Sequence, residues 1–256
     1  MRNKLTDELA VCGINAVLAV GEHHPLSINR LFLREDRLKS FSSICKQLAE
    51  RKRPYKICDD EELERICKSV HHQGVVAMIE EPMVEPLSVE DLELWANEGK
   101  TGVILHSVGN DHNLGAIARA AAFFDAGFIV LNEKDTEARL TTSAYRIAEG
   151  GLEHLTVRRI SNTAAFLKDA SKLLITIGTD TRARMRISDI GKIVKTAKKG
   201  RRPGIALVMG NEESGLPQEV KDQCSTLLRI PGTGNIDSLN VSQAAALFLH
   251  AIFELM

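Results

Sequence analysis

The sequence predicts an α/β protein: a C-terminal, mostly parallel sheet with helices on both faces, preceded by a smaller α/β domain. Two observations carry this. From residue 101 onward, short apolar runs alternate with helix-length segments, the pattern of strands buried on both faces. Ahead of that, residues 82–100, PMVEPLSVEDLELWANEGK, combine two prolines with a high density of acidic residues and divide two stretches that each carry their own alternation. The expected organisation is a domain at 1–81, a linker at 82–100 and a second domain at 101–256.

In the first stretch, 13–20 reads as a short apolar helix, 31–33 as a strand, 42–51 as a helix, 55–58 as a strand, 60–68 as a capped helix and 75–79 as a strand. In the second, 103–108 is a strand followed by a polar loop at 109–113, a helix at 114–124 and a strand at 128–131. Further strands are expected at 155–158, 173–178, 205–209 and 227–230, with helices between them and a last helix over 240–255. In such sheets, ligands bind at the carboxyl ends of the strands, so the loops that follow strands are the places to look for chemistry.

Composition narrows the classes. A chain of 256 residues that is 44% hydrophobic can bury one large core or two modest ones. Its longest apolar stretch, 241–256, is broken by Ser242, Gln243, His250 and Glu254 and falls short of the roughly 20 residues a membrane span needs. The N-terminal MRNKLTDELAVCGINAV lacks the apolar core and cleavage site of a secretory signal, so a cytoplasmic protein is expected. The five cysteines, Cys12, Cys45, Cys58, Cys67 and Cys224, are odd in number and contain no CxxC pair, which reads as reduced structural thiols rather than a disulfide framework or zinc site. The doublets His23-His24 and His71-His72 have no ligand-spaced neighbours, and no metal is expected.

A net charge of -1 gives no global basic excess of the kind that grips nucleic acid through phosphates. Basic character is local: Arg51-Lys52-Arg53, Arg158-Arg159, the series Arg182, Arg184 and Arg186, and the segment 192–202 with Lys192, Lys195, Lys198, Lys199, Arg201 and Arg202. Each run reads equally well as solvated surface.

Three loops at expected strand ends concentrate glycine and polar side chains. The first, Asn110-Asp111-His112-Asn113-Leu114-Gly115, runs into the helix that carries Arg119. If Asn113 caps that helix, Arg119 lies between one and two turns in; a capping Asn with a surface Arg is the plain alternative. The second is Gly210-Asn211-Glu212-Glu213-Ser214-Gly215-Leu216-Pro217, directly after IALVM. Glycine there lets backbone approach a ligand, and the carboxylates can receive hydroxyl or ammonium groups; a solvated turn ahead of Pro217 is the alternative. The third runs from Ile230 through Pro231, Gly232, Thr233 and Gly234 to Ser238, Leu239 and Asn240. It opens a helix so apolar that its start is expected to be buried, with Ser238 and Asn240 hydrogen-bonded in place. It is no phosphate cradle: the GxGxxG register fails, GK[ST] is missing, and the loop holds no basic residue.

In this order and spacing the three loops resemble the three motifs of the SpoU (TrmH-like) family of RNA ribose 2'-O-methyltransferases. HNLGAIARAAAFF looks like motif one, with Asn113 and Arg119 at its Asn and Arg positions. LVMGNEESGL looks like motif two, with Glu212 as its carboxylate, and IPGTGNIDSLNVSQAAALF like motif three, with Ser238 and Asn240 in its Ser-Leu-Asn element. TTSAYRIAEGGLEHLTV is similar to the segment between the first two motifs, and GINAVLAV, INRLFL and HHQGVVAMI resemble the small substrate-binding domain, related to ribosomal protein L30e, that precedes many members.

The resemblance implies a deep trefoil knot, which knot rarity would argue against, and a homodimer through the C-terminal helix. It implies S-adenosylmethionine as cofactor, with Gly210, Ile230 and Leu239 at the binding positions, and tRNA or rRNA as substrate. Catalysis would rest on Asn113, Arg119, Glu212, Ser238 and Asn240. Asn110-Asp111 in place of Asp-Pro, Asp125 in place of Gly, and Gly232-Thr233 in place of a Met-containing step put the chain in a side branch. The competing reading is a catalytically silent RNA-binding or assembly factor, against which the retained motif residues speak. A base methyltransferase of the same fold is a third, for which Ser-Leu-Asn is the wrong signature.

Overall fold

The computed structural model describes residues 2–3, 8–133, 140–196 and 202–255, so Lys198, Lys199 and Arg201 of the last basic run lie outside the described residues. In chain order the elements are β1 (Arg2–Asn3), β2 (Glu8–Cys12), α1 (Ile14–His23), β3 (Ile28–Leu33), α2 (Ser42–Glu50), β4 (Tyr55–Ile57), α3 (Asp60–Cys67) and β5 (Val75–Glu80). There follow β6 (Glu85–Pro86), α4 (Val89–Glu98), β7 (Thr101–Leu105), α5 (Asp111–Phe123), β8 (Phe128–Asn132), α6 (Thr142–Ala148), β9 (Thr156–Ile160) and α7 (Thr163–Ala170). The chain closes with β10 (Ile175–Thr179), β11 (Met185–Arg186), α8 (Ile190–Thr196), β12 (Ile205–Met209), α9 (Gln218–Lys221), β13 (Thr226–Arg229) and α10 (Val241–Phe253). They gather into two compact units, Met1–Met83 with Arg139–His154, and Val84–Ala138 with Leu155–Met256.

The first unit is built on a five-stranded mixed sheet in the order β1-β2-β5-β3-β4, in which only β3 and β4 are parallel. Strand β2, ELAVC, is absent from the sequence reading: five residues that begin on a charge and never alternate carry no period-two signal. Glu8 tolerates its burial because Arg30 of the neighbouring β3 donates to it. Helix α3 begins where Asp59 Oδ1 accepts from the Glu62 amide at 2.8 Å, with three acidic residues in its first turn, the arrangement favoured at a helix N-terminus. Residues 139–154 belong to this unit, with α6 packed on β2 and His24 Nε2 lying 3.2 Å from Glu153 Oε2.

The second unit holds an eight-stranded sheet, β11-β13-β10-β12-β7-β8-β9-β6, in which every described pair is parallel. All residues of β7, β8 and β12 are buried, as strands covered on both faces must be. Where the sequence reading places a linker, the structure has β6 on the edge of this sheet and α4 in its core. A capping box starts α4: Ser88 Oγ accepts from the Asp91 amide at 3.2 Å, and Asp91 Oδ2 from the Ser88 amide at 3.1 Å. Arg158 on β9 grips the same carboxylate with two bonds, 2.8 and 3.1 Å. Trp95 then stacks on Phe128 at 3.8 Å between ring centroids, over Gly102, where a Cβ would lie 2.2 Å from the Phe128 ring.

The strand order places the site. From β7 the chain runs outward through β8 and β9, then returns to lay β10, β12, β11 and β13 on the other side. The direction reverses between β7 and β12, and at that crevice a parallel sheet opens for a ligand. No helix among the described residues is long and apolar enough to cross a membrane. The five cysteines are free, and four of them are buried.

Candidate active site

The loops after β7 and β12 flank this crevice, and the segment after β13 closes on them. Asn113, from the first loop's helix, lies at its centre and is 8% exposed. Its Nδ2 donates to Glu212 Oε1, and its Oδ1 accepts from Asn240 Nδ2 at 3.1 Å. A single amide thereby joins three segments separated by 99 and 127 positions of sequence. Asn240 does two jobs at once, because its Oδ1 also caps α10 by accepting from the Ser242 amide at 2.9 Å and the Ser242 hydroxyl at 2.6 Å.

Asn113 is not the cap of α5. Asn110, in extended backbone, accepts the His112 amide at 2.8 Å, so the helix starts at Asp111 and Asn113 falls inside its first turn. With the cap supplied by Asn110, the Asn113 amide is available for tertiary bonds. A position inside the helix also separates Asn113 from Arg119, since six residues advance about 9 Å along a helix and bring the second side chain out on another face. Arg119 and Ser238 are both exposed.

The start of α10 also differs from expectation. Residues 231–240 are all exposed, whereas the helix that follows buries Val241, Ala245, Phe248, Leu249 and Ile252 and packs on α5. Gly210 closes β12, and a Cβ there would lie 2.5 Å from Gly215 carbonyl carbon and 2.6 Å from the Leu216 amide, so only glycine permits the turn to fold back. Ile230 follows β13 directly, and Leu239, 46% exposed, precedes Asn240.

Two supporting groups escaped the sequence reading. Asn211 Oδ1 accepts from the Glu213 and Ser214 amides at 2.9 and 3.1 Å and from the Ser214 hydroxyl at 3.2 Å, while its Nδ2 donates to the Ser107 carbonyl at 3.0 Å. It folds the Glu212 loop and ties it to the loop after β7; the Gly-Asn pair is a turn signal that could have revealed the first role but not the second. At the ends of β7 and β8, His106 Nδ1 and Asn132 Nδ2 both reach Thr163 Oγ1, at 2.9 and 3.1 Å. Nothing local in sequence announces a contact between residues 57 and 31 positions apart.

Beyond β10, Asp180 meets Lys221 Nζ at 2.7 Å and accepts from the Arg182 amide at 2.9 Å. Burial works against its charge, yet the Lys221 and Arg182 interactions hold the carboxyl below its ordinary range, so the loop after β10 is anchored by an ionised group. Among the described residues, no group of His, Cys, Asp and Glu could hold a metal ion.

Two family models match the chain, one on each side of residues 85–99. Residues 100–250 match the model of the SpoU rRNA methylase family, and residues 10–84 match that of an RNA 2'-O ribose methyltransferase substrate-binding domain. The 23S rRNA (guanosine-2'-O-)-methyltransferase RlmB of Bordetella pertussis is 30% identical over 249 residues, covering 94% of this chain and 94% of that protein. The RlmB of Haemophilus influenzae is 29% identical over 250 residues, covering 94% and 96%. Among solved structures, an rRNA methyltransferase from Sinorhizobium meliloti shares the fold with a TM-score of 0.73 at 22% identity, over 97% of this chain and 87% of that one. The SpoU methyltransferase AviRb from Streptomyces viridochromogenes, solved with AdoMet, does so at 0.70 and 20% identity, over 98% and 91%.

Proposed function

This chain belongs to the SpoU rRNA methylase family, matched over residues 100–250, and from that membership we propose that it transfers a methyl group from S-adenosylmethionine to a ribose 2'-hydroxyl of tRNA or rRNA. The observation that carries the reading is the bonded chain Asn240–Asn113–Glu212, which assembles three separated loops at the one place where the parallel sheet opens for a ligand.

The loops fit the cofactor. Residues 231–240 are exposed and carry apolar Ile236 and Leu239 beside open backbone, and a Cβ at Gly232 or Gly234 would meet nothing within 4 Å. An adenosine group could lay its apolar face on these side chains and use the backbone of the same loop for its polar atoms. In this proposal Gly210, Ile230 and Leu239 would hold it, and the deep trefoil knot belongs to the same reading.

S-adenosylmethionine supplies an electrophilic methyl on sulfonium. The chain's own task is to present a ribose oxygen in line with that methyl, and positioning does most of the work. Asn113, held from both sides, fixes the Glu212 carboxylate and the start of α10, and with them the register of a ribose lying across the crevice. Ser238 and Asn240 approach from the third loop. The Arg119 guanidinium orients and polarises the hydroxyl and steadies the neighbouring phosphate rather than acting as a base.

A homodimer through α10 is part of this proposal. Phe123 is 79% exposed, and Leu247, Phe253 and Leu255 are 46%, 43% and 42% exposed around the packed rings of Phe124, His250 and Phe253. A second copy would cover this apolar surface. A cytoplasmic setting accords with five free cysteines. Arg119→Ala tests the assignment: S-adenosylmethionine should bind as in wild type while methyl incorporation into total tRNA and rRNA falls by orders of magnitude, and an unchanged rate rejects the role.

A further inference from the structure

The proposed site contains few basic groups, and the chain as a whole carries a net charge of -1, so affinity for a polyanion must come from a local surface. One such surface stands beside the cofactor loops. Arg182, Arg184 and Arg186 are exposed, whereas Ala183 and Met185 between them turn inward. The alternation continues into β11, the edge strand of the eight-stranded sheet. Arg182 lies in the turn after β10 and Arg184 in the bend that leads into β11, so the three exposed arginines follow one another along one short segment at the edge of the sheet.

The position is fixed by register. β11 lies parallel to β13 with Met185 opposite Leu228 and Arg186 opposite Arg229, one residue before Ile230. All strands of this sheet point the same way, so the loop after β10 leaves from the end that also bears Gly210, Glu212 and Ile230. Asp180 pairs with Lys221 Nζ and Asp189 with Lys192 Nζ, each at 2.7 Å, and the two carboxyls also feel the charges of Arg182 and Arg186 respectively. Among the described residues, no ion pair takes up the guanidinium of Arg182, Arg184 or Arg186. Guanidinium is also the group that meets a phosphate with two parallel hydrogen bonds.

We propose that Arg182, Arg184 and Arg186 form a rail that binds the sugar-phosphate backbone of the RNA substrate and feeds the target ribose toward the crevice. The proposal rests on the reading of the chain as an RNA methyltransferase. It assigns the rail to substrate binding alone: the three arginines touch neither the cofactor nor the transferred methyl.

The test compares wild type with Arg184→Ala/Arg186→Ala and Arg184→Lys/Arg186→Lys in the full-length protein, using total tRNA and rRNA as probe. For the alanine pair, KM for RNA should rise about tenfold or more, with kcat at saturating RNA and the Kd for S-adenosylmethionine unchanged. The slope of log K for RNA against log salt should flatten by about 1.4 on single strands to about 1.8 on duplex, the loss of two phosphate contacts. The lysine pair should recover the slope and most of the affinity, which a purely structural role would not predict. An unchanged KM and slope overturn the proposal, and so does a matching loss of S-adenosylmethionine affinity, which would place the rail on the cofactor side. If the alanine pair melts early, Arg184→Gln/Arg186→Gln decides: a flattened slope with intact fold supports the rail, and a wild-type slope overturns it. If wild type binds RNA with a slope that the alanine pair flattens yet transfers no methyl, the rail stands and the proposed reaction falls.

Discussion

Asn240 donates from Nδ2 to Asn113 Oδ1 at 3.1 Å while its own Oδ1 caps α10, so one side chain both starts a helix and locks that helix to the opening turn of α5. The two roles use different atoms. Asn240→Ser keeps a capping oxygen but leaves Asn113 Oδ1 without its donor, which should cost about 1–3 kcal/mol, and Asn240→Ala, which loses the cap as well, about 1 kcal/mol more. Both should lower methyl transfer at least tenfold, measured at saturating cofactor. A fully active serine variant would show that the bond to Asn113 has no part in the reaction.

Glu212 accepts from the 8%-exposed Asn113, so its removal leaves a buried donor without a partner. Glu212→Ala should cost about 1–3 kcal/mol in denaturant unfolding for that reason. Glu212→Gln keeps an oxygen for Asn113 and removes the charge. Near wild-type stability with a strongly reduced rate is the expected result, and a Gln variant that unfolds as readily as the Ala variant would mean the charge itself holds the loops.

Asn211 shapes the loop that presents Glu212. Asn211→Asp retains the oxygen that accepts from Glu213 and Ser214 and loses the donor to the Ser107 carbonyl, while Asn211→Ala loses both. Calorimetric titration should find S-adenosylmethionine affinity reduced in both, more in Ala than in Asp. Equal losses would assign the whole effect to the tie with Ser107.

Glu153 sets a pH dependence in the first unit. Burial pushes its carboxyl up to about 7, and the neighbouring His23 draws it only part of the way back. The folded state thus holds the proton more tightly than the unfolded chain, whose carboxyl titrates near the ordinary 4.5. Its contribution is full below pH 4.5 and is lost as pH rises through about 7. Relative to Glu153→Gln, which does not titrate, wild type should lose up to about 3 kcal/mol across that window, at about 1.4 kcal/mol per pH unit. Unfolding curves at pH 5 and pH 8 check the sign, and a constant difference would refute it.

Much of the fold was legible because strands covered on both faces leave continuous apolar runs: IALVM is a strand over Ile205–Met209, bounded as the sequence suggests. Other elements were not: ELAVC of β2 begins on a charge and never alternates, the two residues of the edge strand β11 are too brief for any period, and the pairing of both is decided by distant partners. The three loops stood out by composition, yet composition could not tell which Asn of GNDHN caps α5, since Asn110 and Asn113 are equally good capping types. That Asn113, Glu212 and Asn240 meet is visible only in three dimensions, as is the exposure of Arg119 and of the segment 231–240. The allocation of 139–154 to the first unit depends on tertiary packing that no local pattern encodes.

The central claim is tested most directly by incubating the full-length protein with isotopically labelled S-adenosylmethionine and total tRNA and rRNA, then digesting the RNA to nucleosides for mass spectrometry. The account predicts label on the ribose 2'-oxygen of a defined nucleotide, abolished in Arg119→Ala. Label on a base, or bound cofactor with no label in any RNA, would contradict it.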